Sequence, residues 1–313
     1  MRANSVDLIA ELTEDEKQAR LQELHKIAPN AIVFTALPGS ALSTHEPSSD
    51  TDSADEDGDL PPTVSALIDS CARNDSDWLL NHVMFFAPTA SQVANLCNCT
   101  ITQYLSPMWA CHRIGRITAS SAHSVLKFDG TRIPKSVVDS IVHGSAPFTS
   151  QAMQWGIDHE KEALAIVTQL FSAEHEHAVV SESGLFLCDG LYILGATPDG
   201  LTECSCCGKG IIEIKTSFVH RFCDRDGLIA AASSNASFCL DENLQLRPKH
   251  RYYSQVQCQM GVSGRHRCEF VLYTTKAVVR QVINFDARLF EELKSKTMFF
   301  FKTCIFPHLL EKK

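Results

Sequence analysis

Apolar residues recur at near-helical spacing at the start of the chain: Leu8, Ile9, Leu12, Leu21, Leu24 and Ile27. This spacing predicts one or two amphipathic helices over 5–28, ended by Pro29 and Asn30, within a helical N-terminal segment 1–37. Residues 38–62 then lose nearly all large apolar groups and become acidic and serine-rich. Such a stretch cannot offset the entropy of ordering, so a disordered acidic linker is expected there. Helical periodicity returns over 64–71, 78–86 and 90–97, a helical lead-in spanning 63–100. Beyond it, residues 120–128 and 155–171 carry apolar stripes of the same period, the second through Ala163, Ile166, Val167 and Leu170.

The period then shortens to two. Residues 184–188, 192–196 and 210–215 are short and aliphatic, broken by Asp189-Gly190 and Pro198-Asp199-Gly200, and predict an antiparallel meander. Residues 252–262 read as a helix, 269–274 and 278–285 as strands, and 288–310 as a closing helix. Helices and strands mixed in this order predict an α/β (α+β) fold over 101–313, with a central sheet flanked by helices.

Charge qualifies this picture. The net charge of −9 divides unevenly, with 5 Lys/Arg against 16 Asp/Glu in residues 1–100 and 23 against 21 in the remainder. The acidity therefore lies outside the predicted α/β body, and it neither excludes nor demands a nucleic-acid partner. No run of eighteen apolar residues occurs, so no membrane span is expected. The first sixteen residues are amphipathic and acidic, unlike a secretory or transit sequence, so an intracellular location is expected, nucleus and cytoplasm left open. In that setting the thirteen cysteines read as reduced thiols rather than a disulfide framework.

Candidate chemistry centres on Thr197-Pro198-Asp199-Gly200 followed by Glu213-Ile214-Lys215. Residues two apart on a strand share a face, so Glu213 and Lys215 project together while Ile212 and Ile214 pack on the other side. A hairpin would bring Asp199 beside Glu213. Two carboxylates on a rigid sheet edge suit a hard divalent cation, and an ammonium beside them can offset developing charge. An acidic turn and a solvated Glu/Lys pair would satisfy the same pattern, which alone is weak.

Four ordered blocks strengthen it: His112-Arg113-Ile114-Gly115-Arg116-Ile117-Thr118-Ala119-Ser120, Trp155-Gly156-Ile157-Asp158-His159-Glu160-Lys161-Glu162-Ala163, the Gly195-to-Lys215 block, and Tyr252-Tyr253-Ser254-Gln255-Val256-Gln257. Together they resemble the YqaJ/lambda-exonuclease family of viral recombinases, within the PD-(D/E)XK nuclease superfamily. The resemblance implies a restriction-endonuclease-like core and a metal-dependent deoxyribonuclease, a 5′→3′ exonuclease on duplex ends. An endonuclease on the same core and a silent DNA-binding adaptor are the alternatives. Mg²⁺ or Mn²⁺ would be held by Asp199, Glu213, Glu160 and the Ile214 carbonyl, with Lys215 and Gln255 completing the catalytic set. Arg113 and Ser120 would contact the terminal 5′-phosphate, with Thr197 adding a hydroxyl where phage relatives carry serine. The family also implies DNA recombination or repair, a single-strand annealing partner protein and homo-oligomeric rings.

Some residues keep an open reading. Arg116 fits either a backbone contact or a plain exposed charge, Glu162 a solvated position, and Trp155 a core anchor. Cys204-Ser205-Cys206-Cys207 in the hairpin suits a structural Zn²⁺, but only three thiols are local. Cys223, Cys239, Cys268 or a histidine such as His220 could supply a fourth ligand; a reduced cysteine-rich loop is the competing reading.

Overall fold

The structure, a computed structural model, describes residues 59–71, 75–144 and 150–311. The expected helix over 5–28 and most of the acidic segment lie outside the described residues. The last four residues of that segment lie on the folded body: Asp59 accepts from Gln92 at 2.9 Å, and the Tyr192 hydroxyl donates to the Pro62 carbonyl.

Three capped helices lead in. α1 (Val64–Asp69) starts at Thr63, α2 (Ser76–Met84) at Asp75, and α3 (Ala90–Cys99) at a capping box of Thr89 and Gln92. In each the cap side chain accepts an amide hydrogen that the first turn cannot use internally. There follow α4 (Pro107–Arg113), β1 (Ile117–Thr118), a 3-10 turn at Ala119–Ser121, α5 (Ala122–Lys127), α6 (Lys135–His143) and the long α7 (Gln151–Glu174). The strand region holds β2 (Val179–Ser181), β3 (Phe186–Leu187), β4 (Leu194–Ala196), β5 (Gly200–Cys204) and β6 (Gly208–Thr216). The chain ends with α8 (Arg225–Ser234), α9 (Arg251–Ser263), β7 (Arg267–Tyr273), β8 (Val278–Asn284), α10 (Ala287–Phe300) and α11 (Phe306–Leu310).

The central sheet is mixed, ordered β2-β5-β6-β7-β8, with β6 and β7 parallel and the other pairs antiparallel. Helices cover both faces. Ala163 and Val167 of α7 pack on Ile212, Ile214, Val271 and Tyr273. On the opposite face Leu228 of α8 and Val256 and Met260 of α9 pack on Phe270 and Leu272. Cys258 and Val262 of α9 turn instead into a second core with Phe290 and Leu293 of α10 and the lead-in helices. α9 is thus buried on two sides, which makes it a rigid carrier for side chains.

Two expectations need correction. The stretch 184–215 is not one meander. β4 pairs in parallel with β1 and antiparallel with β3 in a separate three-stranded sheet, and this stretch joins the large sheet only after Pro198-Asp199. Gly184 lies outside the strand, against α3, where a Cβ would fall 1.8 Å from the Cys97 carbonyl. The closing helix is also interrupted, by a π turn at Phe301–Ile305. Pro307 offers no amide hydrogen, and its ring opposes the carbonyl four residues back, so the ladder widens there.

Candidate active site at the mouth of the β5–β6 hairpin

β6 alternates as its sequence requires. Ile212 and Ile214 are buried against α7, whereas Glu213 turns to the α9 side and is only 1% exposed. Gly200 of β5 pairs with Ile212, and the Asp199 amide donates to the Ile212 carbonyl at 3.1 Å. Asp199 therefore sits across from Glu213 at the open end of the hairpin. Its Oδ2 accepts the Ile214 amide at 2.6 Å. The turn before it is held by Gln103, whose side-chain amide donates to the Pro198 carbonyl at 3.2 Å.

A buried carboxylate is costly unless its lone pairs are met. Glu213 is fully engaged: Lys215 Nζ and Gln255 Nε2 donate to Oε1, and Gln259 Nε2 donates to Oε2 at 2.6 Å. The Gln259 amide also reaches the Thr197 carbonyl at 3.2 Å. Lys215 lies 5.1 Å from the centre of the Tyr252 ring.

α7 crosses the hairpin from the other face. At Gly156 a Cβ would sit 3.4 Å from Thr216 Oγ1, and a Cβ at Gly200 would sit 3.3 Å from Leu164 Cδ1. Glu160 lies four residues from Gly156 and from Leu164 and so shares that helix stripe. Burial, then the charge of Glu213, raises the Glu160 carboxyl above its ordinary value. Asp199 is raised well above its own by burial, then Glu213, then Glu160. Burial opposes the Lys215 charge, yet Glu213 and Asp199 outweigh it and hold the ammonium above its usual value. Three carboxylates facing one lysine leave an excess of negative charge. A hard cation with oxygen ligands fits that excess.

Two of the three phosphate candidates, Arg113 and Thr197, meet around a residue that sequence reasoning missed. Trp109 Nε1 donates to Thr197 Oγ1 at 3.0 Å, and the Arg113 guanidinium stacks 4.1 Å from the centre of the same indole. The spacing of Trp109 and Arg113, four apart on α4, was the available signal. Burial alone lowers Arg113, to about 10, with no carboxylate contributing. Ser120 is exposed, its Oγ 3.1 Å from that of Thr118. It stands in the 3-10 turn, and the helix after it has only six residues, so little dipole backs the hydroxyl.

Arg116 takes neither role foreseen for it. It is 1% exposed, donates to the carbonyls of His112 and Tyr192, and stacks on the Tyr192 ring, tying α4 to β4's approach. Glu162 is exposed and Trp155 half-buried, stacked on His159. A basic cleft of about 340 Å³ was also missed, lined by His123, Lys249, His250 and Arg251 among others. Its signal was the run Arg247-Pro248-Lys249-His250-Arg251. His123 joins it to the site through Ser254, at 3.2 Å, next to Gln255. The cysteine loop does gather a fourth candidate ligand, a histidine as one reading allowed, but His175 rather than His220.

No curated protein matches the chain. Among solved structures, the Shutoff and Exonuclease Protein from Kaposi's sarcoma associated herpesvirus is 11% identical, covering 78% of each chain with a TM-score of 0.50. An alkaline exonuclease from Laribacter hongkongensis is 23% identical over 65% of this chain and 96% of that one, TM-score 0.47. A phage related exonuclease from Haemophilus somnus 129PT is 16% identical over 63% and 96%, TM-score 0.41. Residues 108–266, half of the chain, match the YqaJ-like viral recombinase domain and include Glu160, Asp199, Glu213, Lys215, Gln255 and Gln259. The chain belongs to the family of YqaJ-like viral recombinase domains.

Proposed function

We propose that the protein is a divalent-metal-dependent DNA nuclease that degrades duplex DNA from its 5′ ends. One observation carries the reading: the β5–β6 register sets Asp199 against Glu213 while Lys215 reaches the same carboxylate. Family membership agrees with it, as does the fold shared with the Shutoff and Exonuclease Protein.

Asp199, Glu213, Glu160 and the Ile214 carbonyl would hold Mg²⁺ or Mn²⁺. When bound, such an ion supplies Lewis acidity toward the scissile phosphate and its attacking water. Lys215 stays protonated at neutral pH, so it serves as a fixed cation and donor beside the reacting phosphate, not as a base. Gln255 and Gln259 fix the orientation of Glu213. Arg113, stacked over the Trp109 ring, offers a forked donor to a terminal phosphate, and the hydroxyls of Thr197, bonded to the same indole, and of Ser120 would add to it. Lys249 and Arg251 would follow the DNA backbone into the basic cleft.

Purified protein with Mg²⁺ should degrade linear duplex DNA, faster when the 5′ ends carry phosphate. Asp199→Ala and Lys215→Ala should each abolish the activity. Cutting of closed circular DNA would replace the exonuclease with an endonuclease on the same core. DNA binding without cleavage under any divalent ion would leave an adaptor.

A further inference from the structure

We propose that His175, Cys204, Cys206 and Cys207 form a structural Zn²⁺ site that clamps the tip of the β5–β6 hairpin to the C-terminal end of α7. Among the described residues this is the one group of three or more such side chains whose ligand atoms all lie within 4.8 Å of one another. The His175 Nδ1 stands 3.1 Å from the Cys206 sulfur, 3.5 Å from that of Cys204 and 3.6 Å from that of Cys207. The Cys204 and Cys206 sulfurs are 3.5 Å apart. A tetrahedral ion bonded at about 2.3 Å to sulfur and 2.0 Å to nitrogen would set its ligands roughly 3.5–3.8 Å apart. The four atoms thus already approximate the corners of that polyhedron. The sulfurs are too far apart for a disulfide, which needs about 2.05 Å.

Local structure explains how a four-residue stretch presents three thiols to one point. Cys204 ends β5 and pairs with Gly208, the first residue of β6. Gly208 has φ +73° with nothing near its missing Cβ, a left-handed bend that lets the turn close tightly. The turn is anchored on the end of α7. The Ser205 amide donates to the Glu176 carbonyl at 2.9 Å, and Ser205 Oγ lies 3.0 Å from His177 Nδ1. The His175 ring stacks on Phe171, 4.2 Å between centroids, which aims Nδ1 at the sulfurs. Cys204 is buried while Cys206 and Cys207 are exposed, so an ion can enter from solvent.

Ligand chemistry selects the metal. Three thiolates and one imidazole are soft to borderline donors that favour Zn²⁺ over Mg²⁺. Four protein ligands close the coordination sphere, which marks a structural rather than a catalytic ion. The position also has a consequence. The clamp joins α7, which carries Glu160, to the hairpin that carries Asp199 and Glu213, at the ends of both elements remote from those carboxylates. It is independent of the nuclease reading, because it would order the domain whatever the carboxylates do.

The full chain, purified without added metal, should contain one zinc per molecule by mass spectrometry. Cobalt substitution should give the intense thiolate-to-cobalt absorption and the visible bands of a tetrahedral site. The pair Cys206→Ser with Cys207→Ser should lose the zinc, while Asp199→Asn, which alters only the carboxylate centre, should keep it. A high-affinity zinc chelator should lower the melting temperature of the wild type. Zinc retained by the serine pair but lost from Asp199→Asn would overturn the assignment. So would iron or copper in place of zinc, or a wild-type protein that takes up no stoichiometric metal and shows no cobalt–thiolate band. The cobalt spectrum is read on the unmutated chain, so a serine variant that fails to fold does not rescue the idea.

Discussion

Replacing Gln259 by leucine isolates the contribution of a side chain that touches no substrate. Gln259 is 1% exposed and donates to Glu213 Oε2 at 2.6 Å and to the Thr197 carbonyl at 3.2 Å. Leucine fills similar volume and removes both donations. A hydrogen bond to a charged acceptor is worth about 1.5–3 kcal/mol, and each 1.36 kcal/mol is about tenfold. If Glu213 ligates the metal, the loss should be about 10- to 150-fold in cleavage at limiting Mg²⁺, within the range found for residues that orient metal ligands. Part of it should return at saturating Mg²⁺, because the freed carboxylate still binds once the ion is abundant. The assay is the cleavage rate of a labelled linear duplex against Mg²⁺ concentration, with unfolding curves for each protein. Gln257, two residues earlier on α9, is the control. It bonds the Asn284 carbonyl and the Asp286 amide instead, so Gln257→Leu should cost stability and leave the Mg²⁺ dependence unchanged. A Gln259→Leu protein with wild-type Mg²⁺ dependence, or a Gln257→Leu protein with the same shift, would refute the argument.

Gly261→Ala should destabilise the fold: an added Cβ would meet the Phe290 ring at 2.3–2.5 Å. Overpacking of about 1–3 kcal/mol exceeds the roughly 1 kcal/mol gained in helix propensity. A thermal melt should show a midpoint a few degrees lower, recovered by Phe290→Leu, and an unchanged midpoint would contradict the packing. His112 is buried, and burial followed by Arg116 lowers it from 6.5 to about 4. Its neutral form therefore leaves stability intact above pH 6.5, and about 3 kcal/mol should be lost as pH falls toward 4. Urea midpoints at pH 7 and 4.5 should differ less in His112→Leu than in wild type; equal differences would exclude His112 as the source. Arg113→Lys keeps the charge but loses the forked, ring-stacked donor. The preference for 5′-phosphorylated over 5′-hydroxyl ends should drop about tenfold, and an unaltered ratio of rates would remove Arg113 from end recognition.

What could be read from sequence follows the range of each interaction. The alternation of Ile212, Glu213, Ile214 and Lys215 is local, and it anticipates both faces of β6. Glu160, Gln255 and Arg113 required the order of four blocks, since no local period distinguishes them from surface residues. The missed features depend on distant partners. β5 opens at Gly200, in a Pro-Asp-Gly segment that carries turn chemistry, and only pairing with β6 makes it a strand. β1 is two residues long and has no period to detect. Arg116 is polar by composition, yet the carbonyls of His112 and Tyr192 and the Tyr192 ring let it be buried. His175 lies 29 residues before Cys204 just past the end of another element, whereas the fourth ligands named from sequence, His220 among them, all follow the loop.

The structure also separates two buried carboxylates that look alike in sequence. Glu213 and Glu269 lie on adjacent strands of the central sheet, on its opposite faces, and are 1% and 4% exposed. Glu269 receives Arg280 Nε at 3.0 Å and lies 3.6 Å from Arg267, while Arg280 closes a two-pronged bridge to Glu174 at 2.9 Å. Its charge is met by guanidinium, and the network ties β7 and β8 to the end of α7. Glu213 is treated differently. Two of its three donors are the neutral amides of Gln255 and Gln259, which satisfy lone pairs without cancelling charge. Lys215 is the single cation, and it is shared with the field of Asp199 and Glu160. An arginine at position 255 or 259 would stabilise the carboxylate better and would also neutralise it. Amide donors orient a buried carboxylate without neutralising it, which suits the metal-ligand role proposed for Glu213.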